Sequence, residues 1–450
     1  MDMNTAPLIP FASRSSEVAQ ALAQQRTYWW IVGLLSAIIF EGALRKWFLP
    51  LELRPLAYVA KDVVGFLFVV THPIPRRLWP VCKSRAFFAV VAVVLLIPLF
   101  QGLEKNAAPA FLIYKNAVLW PVIAFHVAAS LDSEILTRLI RLLTPITVGM
   151  AALGVLQFGS SPSAFLNRYA WDSYDASITF GANASVRATG TFSFISGLST
   201  YAVIVFTLLL WRLLSMKEPR ERRFLTVGIA AAVFCGLVTG TRYIAVAMGL
   251  STALTLAAAR SFKTLIRLSV AGAVLALALN FVSGGGVLDA FVGRWQNAGD
   301  SLVDRITGRI LHADYGELLG DHPFGVGLGQ TNPIAQQAGS NVVYYDHGIS
   351  NLVVEGGYLG LTGLLLTAIV CVSMLIEGYS SKYAPFRLGV YAVALVTFYT
   401  LLNLPWGDHV GTALRWFSIA LWFSTNPRFL AAAPAIEPAE VQFELSESTP

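Results

Sequence analysis

The sequence predicts an all-α fold, a polytopic bundle of membrane helices, and two observations lead to this prediction. Of the 450 residues, 56% are hydrophobic and only 13% are charged, a composition outside the range of soluble domains. About a dozen apolar runs, each near the roughly 20 residues that a helix needs to cross a bilayer, follow one another with short polar breaks. Because helices satisfy their own backbone polar groups in lipid, such runs indicate membrane helices and exclude a soluble enzyme.

The apolar runs divide the chain into twelve predicted spans, the first an uncleaved anchor after Arg26. The spans are 28–44, 56–71, 86–103, 109–130, 139–158, 192–214, 224–240, 242–259, 264–283, 349–376, 386–404 and 411–425. In domain terms, we expect a cytoplasmic segment (1–26), spans one to nine (27–283), an extracytoplasmic loop domain (284–348), spans ten to twelve (349–425) and a disordered cytoplasmic tail (426–450).

The distribution of basic residues predicts the orientation. The clusters RRLWPVCKSR and KEPRERR both fall on one side of the predicted spans, and Lys and Arg concentrate in cytoplasmic loops. Both termini are then cytoplasmic. On the opposite side, the segments 159–191 and 284–348 are too long for simple turns. We expect the second to be ordered and partly helical around 304–319, which gives a large outer loop before the tenth span.

Close helix packing is predicted within the seventh span. Gly228, Ala232 and Gly236 recur at four-residue spacing and so lie on one helix face. Membrane helices approach one another most closely through such small residues.

Four arginines on the predicted outer side are candidate ligands for an anion. Arg305 and Arg309 are four residues apart in a stretch of helical character, so they project from one face. Arg187 closes the first outer loop, and Arg242 opens a span. Guanidinium groups bind phosphate bidentately and stay charged at physiological pH, so these residues predict a clamp for a lipid-linked pyrophosphate. The alternative is that they snorkel at the interface or pair with acidic residues of the loop.

A candidate general base stands at the mouth of the tenth span. An imidazole titrates near neutrality, so His347 could take the proton of an attacking sugar hydroxyl, and Asp346 could do the same or orient the ring. The alternative is a hydrogen-bonded interfacial histidine. Neither outer loop contains an Asp-x-Asp metal pair, so the arginines are the groups expected to stabilise a leaving pyrophosphate.

Upstream of these residues, Gly325, Gly327 and Gly329 alternate in HPFGVGLGQ. Glycine lets the backbone bend tightly or approach a ligand closely. No strand and helix of a βαβ unit flank the stretch, so it is not a dinucleotide fingerprint.

Four motifs occur together between about residues 187 and 366: RATGTFSF, TGTR at the start of a helix, arginines upstream of DHPFGVGLG, and a polar residue followed by NLVVEGGYLGL. Their combination resembles the O-antigen ligase and Wzy-type polysaccharide polymerase superfamily. The resemblance implies a bacterial inner-membrane enzyme with a periplasmic active site. Such an enzyme transfers a glycan from an undecaprenyl pyrophosphate donor to a hydroxyl of an acceptor glycan, with inversion and without metal or other cofactor. A chain-length regulator is a further candidate partner, and nucleic acid is not expected.

The resemblance implies that Arg187 and Arg242 bind the pyrophosphate and that His347 is the general base. In the family pattern a Glu and two Gly residues follow the histidine at fixed spacings. In this chain Glu355, Gly357 and Gly360 have those spacings when counted from Asp346, so either Asp346 or His347 could be the general base. After GTF, residues 194–196 replace the family's usual Asn-Pro-Asn-like stretch. Ligases of the superfamily are stricter about the histidine, so we favour an exopolysaccharide or O-antigen polymerase over a ligase that acts on lipid A core.

Two hypotheses from other classes remain. A lipid-linked glycan flippase or transporter would place ionisable residues near the bilayer midplane, and Lys61, Asp62 and Lys115 lie within predicted spans. Lys61 and Asp62 could also pair with each other or lie at an interface. A membrane scaffold with no site would leave the outer Arg and His residues unexplained.

Overall fold

The computed structural model describes residues 11–73, 92–169, 179–180, 185–259, 292–293, 315–331, 348–380 and 409–424. The structure is mostly helical. The helices are α1 (Phe11–Ala43), α2 (Arg54–Thr71), α3 (Leu96–Lys105), α4 (Ala107–Ser130), α5 (Ser133–Phe158), α6 (Ile195–Ser215), α7 (Pro219–Val238), α8 (Arg242–Ala259), α9 (Tyr315–Asp321), α10 (Gly348–Ser380) and α11 (His409–Ser424). The short strands β1 (Thr179–Phe180) and β2 (Ser185–Val186) pair antiparallel.

Among the described residues, four helices are long and apolar enough to cross a membrane, which fits an all-α membrane protein. They are Ala21–Phe48, Ala107–Ser130, Ser133–Phe158 and Ile195–Ser215. Twelve spans stay a prediction. The predicted spans at 264–283 and 386–404 lie outside the described residues, as do the start of the third span and the tail from 426 onwards.

Contacts between helix ends show that α1, α5 and α7 run in one direction and α6 in the opposite one. At one end, here called the loop end, the end of α1 contacts Ser193, just before α6, through Arg45. At the same end, the backbone N–H of Ala188 donates to the carbonyl of Val238, where α7 ends, at 2.9 Å. At the opposite end, Arg141 pairs with Glu221 near the start of α7. The loop end therefore collects the segments predicted to lie on the outer side.

The helix α6 forms the centre of the described bundle. Nearly all of its side chains from Ile195 to Leu213 are buried, and it packs against α5, α7, α8 and α11. A methyl group on Gly228 would lie 2.7 Å from Leu209 of α6, and one on Gly236 would lie 2.7 Å from Ile244 of α8. Ala232 is fully buried. The predicted small-residue packing of this helix is confirmed.

The helix α10 is broken within its third turn by Gly357, whose φ and ψ are 57° and −135°. The break leaves room for residues 322–331, here called the glycine loop. The N–H of Val326 donates to the carbonyl of Val354 at 2.9 Å, and the N–H of Tyr358 donates to the carbonyl of Pro323 at 2.9 Å. The predicted tenth span is thus two helical segments with the glycine loop against the break.

The other face of the glycine loop packs against α3. The N–H of Leu328 donates to the carbonyl of Pro98 at 2.8 Å, and Nζ of Lys105 donates to the carbonyl of Val326 at 3.0 Å. Gly325, Gly327 and Gly329 have φ values of 79°, 99° and 78°, a backbone region that residues other than glycine seldom adopt. The expectation of a tightly bent, closely packed backbone is confirmed. Helical structure was predicted around residues 304–319. Residues 304–314 lie outside the described part of the chain, and α9 begins at the next residue, Tyr315.

Substituting Gly327 by Ala is expected to destabilise the protein. The new methyl group would lie 2.6 Å from the backbone nitrogen of Gly102, and the positive φ alone costs about 1–2 kcal/mol for a residue with a Cβ. A clearly lower apparent Tm of the purified protein in detergent tests this. Gly149→Ala is the matched control, because Gly149 lies inside α5 with no atom near its missing methyl group. Equal Tm values for the two variants would contradict the account.

Candidate functional site

The segment 187–193, here called the Arg187 loop, lies against the turn between α7 and α8. The Nε of Arg187 donates to the carbonyl of Thr239 at 2.9 Å, and its Nη2 donates to the hydroxyl of Thr241 at 3.2 Å. Thr241 directly precedes Arg242, the first residue of α8. The structure therefore brings two of the four predicted arginines to the same turn at the loop end.

Four other predicted site residues lie outside the described residues: Arg305, Arg309, Asp346 and His347. In the chain, His347 directly precedes Gly348, the first residue of α10. Their roles stay predictions.

Gln157, at the end of α5, binds the backbone of the Arg187 loop. Its Oε1 accepts from the N–H of Thr189 at 3.1 Å and from the N–H of Gly190 at 2.8 Å, and its Nε2 donates to the carbonyl of Leu166 at 2.8 Å. The side chain is 0% exposed. One buried amide thus satisfies backbone groups that would otherwise be unpaired in an apolar interior.

Lys46 binds the same two residues of the loop from α1. It lies in a π-helical turn, Leu44–Phe48, that continues α1. Its Nζ donates to the hydroxyl of Thr189 at 2.8 Å and to the carbonyl of Gly190 at 2.7 Å, and the residue is 2% exposed. No carboxylate within the described ranges forms an ion pair with Lys46. Its partners are therefore neutral oxygens.

Arg45, beside it, connects the loop to the buried carboxylate of Glu41. Its Nη1 donates to Oε1 of Glu41 at 3.2 Å and to the hydroxyl of Ser193 at 3.2 Å. The other oxygen of Glu41 accepts from Nζ of Lys61 at 2.7 Å. All three charged residues are buried, so Glu41 joins α1 to α2 and its arginine partner joins α1 to the Arg187 loop.

A second ion pair extends this network to α4. Lys115 pairs with Asp62. The ring of Tyr58 lies between the two pairs, with Nζ of Lys61 4.2 Å and Nζ of Lys115 5.8 Å from its centroid. Lys61 and Asp62 are thus not paired with each other, and that alternative was wrong. Adjacent residues of a helix point in different directions, so each reaches a different neighbouring helix.

Three residues of this network, Glu41, Arg45 and Lys46, were missed by the sequence analysis. A signal was present, because all three are charged residues inside or directly after the first apolar run. Ionisable residues at such positions are rare and usually have a partner or a function.

At the start of α10, Glu355 holds the end of the glycine loop. Its Oε1 accepts from the hydroxyl of Thr331 at 2.6 Å and from the N–H of the same residue at 3.1 Å, and the N–H of Gly329 also binds the carboxylate. Glu355 is 2% exposed. Two residues of the motif EGG therefore have structural roles in this chain. The carboxylate of Glu355 holds the end of the glycine loop, and Gly357 breaks the helix.

The glycine loop does not form a phosphate cradle within the described structure. The N–H groups of Gly325, Val326, Gly327 and Leu328 donate to the carbonyls of His322, Val354, Glu355 and Pro98. Amides already bonded to carbonyls offer no donors to a ligand. Among the described residues, the candidates for an anion site at the loop end are therefore arginine and lysine side chains.

The described part of the loop end carries several cationic side chains, of which Arg45 is paired with Glu41. Arg187 is bonded to Thr241, directly before Arg242, in the α7–α8 turn, and Arg45 and Lys46 contact Ser193 and Thr189 of the Arg187 loop. Grouped cations in a low dielectric favour an anionic ligand. No known family model matches the chain, and no curated protein matches it.

Substituting Gln157 by Leu is expected to lower the stability of the folded protein. The change keeps the volume but leaves the N–H groups of Thr189 and Gly190 buried without their acceptor, at about 1–3 kcal/mol for each. The apparent Tm in detergent should fall by several degrees. The control is Gln25→Leu, which removes an exposed hydrogen bond to Arg138 at the opposite end. An unchanged Tm for Gln157→Leu would show that the loop does not depend on this amide.

Proposed function

We propose that the protein is a membrane glycosyltransferase of the O-antigen ligase and Wzy-type polymerase superfamily. It transfers an undecaprenyl-pyrophosphate-linked glycan to a hydroxyl of an acceptor glycan at the periplasmic face of a bacterial inner membrane. The observation that carries the proposal is the meeting of Arg187 and Arg242 at one turn: the RATGTF and TGTR motifs, far apart in sequence, join through the bond from Arg187 to Thr241.

In this proposal, the arginines stabilise the negative charge of the leaving pyrophosphate. When the acceptor hydroxyl attacks the anomeric carbon, the bond from that carbon to the pyrophosphate oxygen breaks, and the pyrophosphate takes the electron pair. Guanidinium groups already in place stabilise this charge without reorganisation. Arg305 and Arg309 extend the clamp in this proposal, in which no metal takes part.

The acceptor hydroxyl needs a base for its proton. In the proposal, His347 or Asp346 takes the proton as the new glycosidic bond forms on the opposite face of the sugar, so that the configuration inverts. Both residues directly precede α10, whose first turns are fixed to the glycine loop by Glu355. A fixed helix start supports a base in a defined position.

Between the two branches of the superfamily, a polymerase of exopolysaccharide or O-antigen is favoured. The acceptor is then a second lipid-linked glycan. In the ligase alternative, the acceptor is lipid A core.

A lipid-linked glycan flippase is the second candidate function, and one observation favours it. The pair Lys61–Glu41 is buried, and the pair Lys115–Asp62 is partly buried, between α1, α2 and α4. Intramembrane ionisable residues often mark a transport path. In the glycosyltransferase proposal, the same pairs join these helices beneath the loop end.

The proposed reaction is tested with purified protein in detergent and undecaprenyl pyrophosphate oligosaccharide from the host strain, with a metal chelator present. We expect wild type to make longer lipid-linked products, visible as a ladder on gels. Arg242→Ala should lose at least about two orders of magnitude in rate, the usual scale for removing one charge-stabilising group. Arg138→Ala is the matched control, because Arg138 is an exposed arginine at the opposite end.

The variants Asp346→Ala and His347→Ala, in the same assay, assign the base: the one that abolishes product formation marks it. Product only after addition of lipid A core would establish the ligase alternative. No product with either acceptor and authentic donor would contradict the enzyme, and lipid-linked glycan flipping in liposomes would then test the second candidate.

A further inference from the structure

The start of α7, at the end opposite the loop end, carries an excess of positive charge. The stretch 217–223 holds four basic and two acidic residues, and one of the acidic residues, Glu221, is already bonded to an arginine of α5 at 3.2 Å. Arg220, Arg222 and Arg223 are exposed, and none of them forms an ion pair within the described ranges. Exposed charges of one sign attract a ligand of the opposite sign.

Two of these arginines begin an exposed face of α7 that continues with apolar side chains. The face consists of Arg220, Arg223, Phe224 and Val227 and is here called the Arg220 face. Its residues stand at positions i, i+3, i+4 and i+7, so they lie on one side of the helix. Phe224 is 40% exposed and Val227 is 55% exposed, whereas Leu225 is fully buried in the bundle. The Arg220 face therefore presents two positive charges first and apolar surface directly after them.

The neighbouring helix α5 shows the same order. The side chain of Arg141 is 57% exposed and is held beside the start of α7 by its bond to Glu221. Pro145 and Val148, one and two turns further along α5, are exposed as well. Because α5 and α7 are in contact, basic side chains of both helices lie at the same end, and exposed apolar side chains follow on both.

This order of charge and apolar surface matches an anionic phospholipid. Guanidinium groups bind a phosphate group bidentately, and an acyl chain gains free energy when it covers apolar side chains. Basic residues just beyond the end of a membrane helix are typical of sites for anionic lipid headgroups. A soluble anion would use the arginines but would gain nothing from Phe224 and Val227.

We propose that the Arg220 face binds an anionic phospholipid of the membrane. Arg220 and Arg223 donate to the phosphate of its headgroup, and Phe224 and Val227 pack against an acyl chain. Arg222 takes no part, because it lies about 200° around the helix from Arg220. The inference does not rest on the proposed function, since it concerns the end of the protein opposite the proposed transfer site.

The test measures lipid binding to the purified full-length protein in detergent by native mass spectrometry. The probe is phosphatidylglycerol, and phosphatidylcholine with the same acyl chains is the zwitterionic reference. We expect wild type to bind phosphatidylglycerol at least about tenfold more tightly than phosphatidylcholine. In the double variant Arg220→Gln/Arg223→Gln, the dissociation constant for phosphatidylglycerol should rise at least about tenfold, because two basic groups near the membrane surface are lost.

A matched pair of single variants separates a site from diffuse attraction. Arg223→Gln and Arg222→Gln remove the same charge from adjacent exposed positions of α7, but only the first lies on the Arg220 face. We expect Arg223→Gln to weaken binding of phosphatidylglycerol about fivefold. Arg222→Gln should bind as wild type does.

A further variant tests the apolar half of the face. Phe224→Asn keeps every charge but removes apolar area, so it should weaken binding of phosphatidylglycerol about fivefold. Inorganic phosphate, added as a competitor, represents the soluble source of the same chemistry. We expect it to displace phosphatidylglycerol only at concentrations far above that of the lipid.

Three results would overturn the inference. Equal affinity of wild type for the two lipids would show that the face does not recognise headgroup charge. An equal loss in Arg222→Gln and Arg223→Gln would assign the effect to the charge of the whole stretch. Wild-type affinity in Phe224→Asn, with displacement of the lipid by an equal concentration of phosphate, would identify a soluble anion as the occupant. All substituted positions are exposed, and an unchanged Tm and size-exclusion profile would show that each variant is folded.

Discussion

The backbone of the Arg187 loop is non-helical and buried among apolar helices, and this constraint determines the loop end of the protein. Peptide groups in such a place must find internal partners. Gln157 supplies an acceptor and a donor, Lys46 supplies two hydrogen bonds, and the α7–α8 turn supplies a carbonyl for the N–H of Ala188. The helices α1, α5 and α7 are therefore fixed relative to one another through a single short segment, and Arg187 has a defined position in it.

The same segment links structure to the proposed chemistry. Its RATGTF sequence meets the TGTR turn, and the two arginines of these motifs would face one leaving group. The glycine loop satisfies its buried backbone differently from the Arg187 loop. Its amides are bonded to carbonyls, and its end is held by the carboxylate of Glu355. It supports the start of α10 and leaves recognition to charged side chains. In the proposed reaction, positioning by backbone contacts and binding by guanidinium groups are thus separate tasks.

Local patterns predicted local structure well. In the described part of the chain the apolar runs predicted helices, but α1 begins at Phe11, well before the predicted start at residue 28, and Gly357 breaks α10. Arg242 was predicted to open a helix and does so, and the glycine spacing predicted a bent, close-packed loop. Partners distant in sequence could not be predicted. Lys46 and Thr189 are 143 residues apart, and the sequence contains no pattern that joins them. The adjacency of Lys61 and Asp62 in sequence was misleading, because the direction of a side chain on its helix decides its partner.

The central claim is that Arg187 stabilises a leaving pyrophosphate at the loop end. Its most direct test is the single-turnover rate of glycan transfer by the Arg187→Lys variant with saturating lipid-linked donor. This rate is compared with that of the wild-type protein, after an equal Tm has shown that the variant is folded. Lysine keeps the charge but loses the bidentate geometry. The account predicts a rate at least about tenfold slower with little change in donor affinity. A wild-type rate in the correctly folded variant would contradict it.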